Sequence, residues 1–124
     1  PAVELRGRAR HDEMEAIYSS ADFLLQASLR EWSGLAVLEA MSCGCIPIVT
    51  NIPSFSAMTS DGTYGRLFQP GDAEGLASAA LEIDAAERER LSEDVRNRFR
   101  ESLSFEALAR DVERVYLEVC RRSG

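Results

Sequence analysis

Lysine is absent from this chain: all fourteen basic residues among its 124 are arginine. That excludes Schiff-base chemistry, which needs an amine nucleophile, and the lysine-clamped phosphate loops of nucleotide hydrolases. A phospho-receiver domain has the right length but needs a lysine and an early acidic cluster, so it is excluded as well. Positive charge is short overall. Twenty-one carboxylates outweigh the arginines for a formal net charge of −7, and no basic field is available to recruit nucleic acid. Histidine occurs once, at His11, and cysteine three times, at Cys43, Cys45 and Cys120. This set lacks zinc-ligand spacing and is odd in number, so neither a metal site nor a disulfide framework is expected. No apolar run approaches the roughly 20 residues of a spanning helix, and no signal peptide is recognisable, so the expectation is a cytoplasmic protein with reduced thiols.

What is present is ordinary globular material, 45% hydrophobic and 28% charged, in an amount that suits one domain. The chain opens on Pro1 rather than methionine, which raises the expectation of a piece cut from a longer protein. Val3 and Leu5 alternate with polar residues and predict a short strand ending at Gly7. His11 starts a helix to about residue 20, with Met14, Ile17 and Tyr18 at helical spacing. The run from Phe23 to Leu25 predicts a parallel strand covered on both faces. Ser33 is placed to cap a helix from Gly34 to about Ser42, with Leu35, Leu38 and Met41 inward and Gly44 as a left-handed stop. The β-branched run from Ile46 to Thr50 predicts the clearest strand. A short helix near 54–60, a strand around Leu67 and a helix capped by Asp72, with Leu76, Ala77, Ala80 and Leu81 inward, follow.

From Asp84 onward the pattern is helical. Asp84 and Glu87 resemble a capping box, and Leu91, Val95 and Phe99 form a narrow stripe on a helix whose dense charges read as a solvated face. Ser104 caps the last helix, whose stripe of Phe105, Leu108, Ala109, Val112, Tyr116 and Val119 is broad enough to dock on a core. Strand and helix alternate four times, which predicts an α/β fold: a Rossmann-like parallel sheet of about four strands with flanking helices and a helical extension over about 85–122. In such sheets ligands sit beyond the carboxyl ends of the strands, beside helix N-termini.

That location carries the chemistry. Glu31 precedes the helix, while Ser33, Gly34, Leu35 and Ala36 supply first-turn amides that suit a diphosphate at the positive end of the dipole. Gly34 has no side chain to block close approach. Glu39, an acid on an otherwise apolar helix, suits the vicinal diol of a ribose, as acidic residues do in dinucleotide-binding folds. Glu31 suits a hydroxylated group beyond the phosphates, so the three together describe a nucleotide sugar. Each has a plainer reading: Glu39 as an ion-pair partner of an arginine, Glu31 as a helix-dipole acid. Cys43 and Cys45 read as small apolar groups at a tight turn.

The stretch REWSGLAVLEAMSCGCIPIVT resembles the donor-binding signature of GT-B-fold retaining glycosyltransferases of the group 1 (family 4) type. In that signature two glutamates flank seven residues and lead into E-A-M-x-x-G-x-P-V-V. Tyr18-Ser19-Ser20-Ala21-Asp22 before it, and the run from Asp61 to Asp72 after it, similar to D-G-x-x-G-x-L-x-x-P-G-D, extend the resemblance over nearly the whole chain. The resemblance implies the C-terminal part of a GT-B donor domain, with residues 1–124 a partial nucleotide-sugar-binding domain. It implies that Glu31 is the catalytic glutamate, touching donor-sugar hydroxyls near the reacting carbon. Ser33, Gly34, Leu35 and Ala36 then hold sugar and diphosphate, and Glu39 binds the ribose.

The implied substrate is a UDP-, GDP- or ADP-sugar, with no cofactor and no metal, and the implied reaction is glycosyl transfer with retention. The implied partner is an N-terminal acceptor domain of the same chain, so the isolated fragment is expected to be inactive. The parent enzyme could lie peripherally at the inner membrane face. A non-catalytic sugar-nucleotide-binding or assembly module is the alternative. Trp32 and Ser33 depart from the family pattern, which more often has a small residue and phenylalanine there. If the domain is doubly wound, the strand at Val3–Leu5 has lost its neighbour. It is then expected to swing beside the Phe23 strand or to exchange with another chain, giving a strand-exchanged oligomer.

Overall fold

In the computed structural model, which describes residues 2–122, the β-branched run forms the central strand. Ile46–Thr50 is buried at all five positions and pairs in parallel on both sides, with Phe23–Gln26 and with Arg66–Phe68. In chain order these strands are β1 (Phe23–Gln26), β2 (Ile46–Thr50) and β3 (Arg66–Phe68), and they lie in the order β1-β2-β3. The helices are α1 (Met14–Ser20), entered through a 3-10 turn at His11–Glu13, α2 (Leu35–Ser42), α3 (Pro53–Thr59), α4 (Ala73–Leu81), α5 (Ala85–Arg98) and α6 (Phe105–Arg122). A π-helical turn at Phe99–Leu103 joins the last two. The core collects Val37 and Met41 of α2, Ile46, Ile48 and Val49 of β2, Phe55 of α3, and Leu91 and Val95 of α5.

The α/β class is as expected, but the sheet has three strands rather than about four. Residues 2–10 form no strand, and Val3 and Leu5 are 71% and 93% exposed. Two alternating apolar residues bury too little to offset the entropy of ordering the segment. It does not swing beside β1, so the expected in-chain strand exchange is not realised. Among the described residues β1 is an edge strand, paired only with β2, and Leu25 on one of its faces is exposed, so the strand is not covered on both faces.

Several local expectations change for tertiary reasons. On α2 the buried residues are Val37, Ala40 and Met41, while Leu35 is exposed. On α4 it is Ala79 that is buried, with Leu76 and Ala80 half-buried and Ala77 and Leu81 exposed. Asp84 accepts the Glu87 amide at 2.8 Å, but the Glu87 carboxylate pairs with Arg66 of β3 instead of completing a capping box. The charges of α5 do more than face solvent. Ser92 Oγ donates to Gly44 O at 2.7 Å and the Arg96 guanidinium to Cys43 O at 3.1 Å, which binds α5 to the turn between α2 and β2. Arg98 reaches the carbonyls of Ala57 and Met58 at the end of α3 and lies over the Tyr64 ring, 5.5 Å from its centroid. Asp72 caps α4 as expected, accepting the Gly75 amide at 2.8 Å.

Ser104 caps α6 through the Ala107 amide. The rest of that helix departs from expectation: Phe105, Leu108, Val112 and Tyr116 are all more than half exposed, so the stripe does not dock on this core. Among the described residues no helix is long and apolar enough to cross a membrane.

Candidate functional site

The carboxyl ends of β1 and β2 hold the loop that carries Glu31, the first of the two candidate acids. Thr50, the fully buried last residue of β2, donates its hydroxyl to Ser28 O and so fixes the start of the loop leaving β1. Gln26, the last residue of β1, donates from its side-chain amide to Ser28 Oγ at 3.1 Å and to the Glu31 carboxylate at 3.4 Å. The other Glu31 oxygen accepts the Trp32 amide at 3.1 Å. Glu31 is therefore held by neutral donors, and among the described residues no arginine forms a salt bridge with it. Trp32, the single tryptophan, is 98% exposed on the same loop.

The start of α2 differs from expectation in one residue. Ser33 is exposed and its hydroxyl does not cap the helix; Gly34 occupies the N-cap position in the left-handed conformation, φ 54°. The reason lies in α3. A Cβ on Gly34 would come within 2.7 Å of the Met58 methyl and 3.1 Å of the Phe55 ring. The close approach that requires glycine here is thus to another helix. The helical ladder begins with the Val37 amide donating to Gly34 O at 2.9 Å, so the amides of Leu35 and Ala36 precede it at the open end of the helix, where an anion is favoured.

Glu39 lies further along α2, half-buried, and faces α1. Its carboxylate accepts the Tyr18 hydroxyl at 3.5 Å, and among the described residues no arginine forms a salt bridge with it. The ion-pair reading of Glu39 is thereby set aside. Burial, and then the negative charge of Glu39, push the Tyr18 hydroxyl above its ordinary value of 10.0. The two glutamates line separate cavities. Glu39 shares one of about 560 Å³ with His11, Tyr18, Ser42, Cys43 and Arg96, and Glu31 a smaller one of about 340 Å³ with Trp32, Ile52 and Pro53. Among the described residues no cluster of three or more His, Cys, Asp or Glu side chains could hold a metal.

Sequence reading missed Gln26, Thr50 and the role of Tyr18. The first two could have been found from their place as the last residues of their strands. Tyr18 carried two signals, as a polar-tipped residue on the apolar face of its helix and as the first residue of the Tyr18–Asp22 motif, but neither pointed to its contact with Glu39.

With this geometry in hand, the comparisons with known proteins are specific. The profile of the family described as "Glycosyl transferases group 1" matches residues 1–84. The chain is 28% identical over 114 residues to an N-acetyl-alpha-D-glucosaminyl L-malate synthase of Bacillus anthracis, covering 90% of this chain and 30% of that protein. It is 31% identical over 118 residues to a GDP-mannose:cellobiosyl-diphosphopolyprenol alpha-mannosyltransferase of Komagataeibacter xylinus, covering 90% and 29%. Among solved structures, a sucrose-phosphate synthase from Thermosynechococcus elongatus superposes with a TM-score of 0.81 at 28% identity over 97% of this chain and 31% of its own. The chain thus spans about 30% of the length of these relatives. A family match over more than half of the residues, together with a superposition at a TM-score of 0.81, leads to one conclusion: the chain belongs to the group 1 glycosyltransferases.

Proposed function

We propose that this chain forms the donor-side site of a glycosyltransferase, binding a nucleotide-diphosphate sugar for transfer with retention of configuration. The observation that carries the reading is the N-terminal turn of α2, whose Leu35 and Ala36 amides precede the first helical hydrogen bond and which follows Glu31 by way of Trp32 and Ser33 at the carboxyl end of β1. The amides of Gly34, Leu35 and Ala36, with Ser33 at the rim, receive the diphosphate, whose charge the helix end favours. Glu39 accepts the ribose hydroxyls. Glu31 touches the sugar near the reacting carbon and stabilises positive charge developing there, positioning rather than attacking.

In this front-face reading the bond from the anomeric carbon to the diphosphate breaks as the acceptor hydroxyl approaches from the same side. The hydroxyl proton passes to the departing diphosphate oxygen. The related mannosyltransferase is named for GDP-mannose, which supports a nucleotide-sugar donor of UDP, GDP or ADP type. Acceptor binding and further groups that hold the diphosphate belong, in this proposal, to regions of the relatives outside the matched 30%, so the 124-residue chain binds donor weakly and does not turn over.

Nuclear magnetic resonance titration tests this at millimolar ligand. Amide signals of Gly34, Leu35 and Ala36 are expected to shift with UDP, GDP or ADP and not with the matching nucleoside, and Trp32 fluorescence is expected to respond to the sugar nucleotide. No amide shift with any of the three diphosphates removes the proposal.

A further inference from the structure

We propose that Tyr18 is a positioning residue for the ribose site, fixing the carboxylate of Glu39 through its hydroxyl. The inference rests on the ribose-binding reading of Glu39 and adds to it a residue on a different helix. Three observations carry it. The Tyr18 side chain is 7% exposed and packs with Ala40 and Cys45, with Met14, Leu24 and Cys43 around them, so its ring cannot swing. Tyr18 nevertheless lines the 560 Å³ cavity that Glu39 also lines. There it donates to one Glu39 oxygen, Oε2, which leaves Oε1 to accept from a ligand.

The physical need is clear. A glutamate on a half-exposed helix has three rotatable bonds, and a carboxylate that must meet two vicinal hydroxyls at once gains from being held before the ligand arrives. A neutral phenol does this without cancelling the charge, whereas an arginine paired with Glu39 would compete with the ribose for the carboxylate; Arg96, which lines the same cavity, donates instead to Cys43 O at 3.1 Å. The buried hydroxyl also has its own hydrogen-bonding demand met by Glu39. The position of Tyr18 one turn before Asp22 and β1 ties the ribose wall to the sheet that carries the Glu31 loop.

The test compares binding of UDP, GDP and ADP with that of their 2′,3′-dideoxy counterparts to the 124-residue chain, again by nuclear magnetic resonance. The wild type is expected to prefer the ribose forms by about tenfold, the factor of one hydrogen bond to a charged group. In Tyr18→Phe that preference is expected to fall to about twofold while affinity for the dideoxy forms is unchanged. A merely structural role would weaken both forms together. If Tyr18→Phe keeps the wild-type preference, the positioning role is wrong and the Glu39 reading stands. If the wild type shows no preference, the ribose reading of Glu39 falls and takes this inference with it. A second measurement serves should the variant fail to fold. The Tyr18 Cζ signal of the wild type is expected to move with the ribose forms and not with the dideoxy forms, and an unchanged signal with both overturns the proposal.

Discussion

Gly34 meets two demands in one residue: a left-handed backbone at the mouth of α2 and a bare Cα against Met58 and Phe55. Gly34→Ala is expected to lower stability by about 1–3 kcal/mol, measured by urea unfolding, because both the backbone strain and the contact with α3 oppose a methyl group. An unchanged midpoint would show that α3 yields without cost. Cys45 makes a second residue-scale prediction. Burial, followed by the nearby Cys43 and Asp22, pushes its thiol from an ordinary 9.0 up to about 11. A group held protonated in this way stabilises the fold fully below pH 9 and loses that contribution as the pH rises from 9 through 11. Stability should therefore fall by about 1.4 kcal/mol per pH unit across that window, and Cys45→Ala should flatten the slope in pH-dependent denaturation. The raised Tyr18 hydroxyl adds a decline of the same sign from pH 10 upward.

Among the elements, α2 and α6 behave oppositely although both carry apolar stripes. Met41 of α2 is fully buried against β2 and α5 neighbours, so Met41→Ala should cost about 2–5 kcal/mol. Val112 of α6 is 64% exposed, so Val112→Gln should change stability by no more than about 0.5 kcal/mol. A thermal-melt series on the two variants checks the contrast, and a large loss at Val112 would mean that the α6 stripe is packed in solution. The same contrast explains what was legible beforehand. Periodicity and β-branching located β2, α2, α5 and α6, because those signals are local. They could not say that Leu35 faces out or that the α6 stripe finds no place on this core, because those facts depend on which surfaces stand opposite. The choice of Gly34 over Ser33 as the cap is of the same kind, set by Met58 twenty-four residues later along the chain.

For the whole molecule, the motif spacing put the candidate glutamates on the segment that follows β1. The structure has Glu31 in the loop leaving that strand and Glu39 on α2, since parallel sheets leave their loops at the carboxyl ends of their strands by construction of the fold. The spacing could not show that Glu31 and Glu39 open into separate cavities, nor that a neutral tyrosine answers Glu39. The N-terminal strand was misread because two alternating residues carry the pattern of a strand without the partner that makes one. One feature reaches beyond binding. The Thr50 tether fastens the site loop at Ser28, and none of the seven residues from Ala27 to Ser33 is buried. Changes of sequence there are nearly invisible to folding, while the scaffold that aims the loop sits in β2 and cannot drift without loss. On the proposed donor-binding reading, the residues that meet the sugar and those that hold the fold are thus under separate selection, and a lineage can rewrite a short exposed stretch while its architecture stands still.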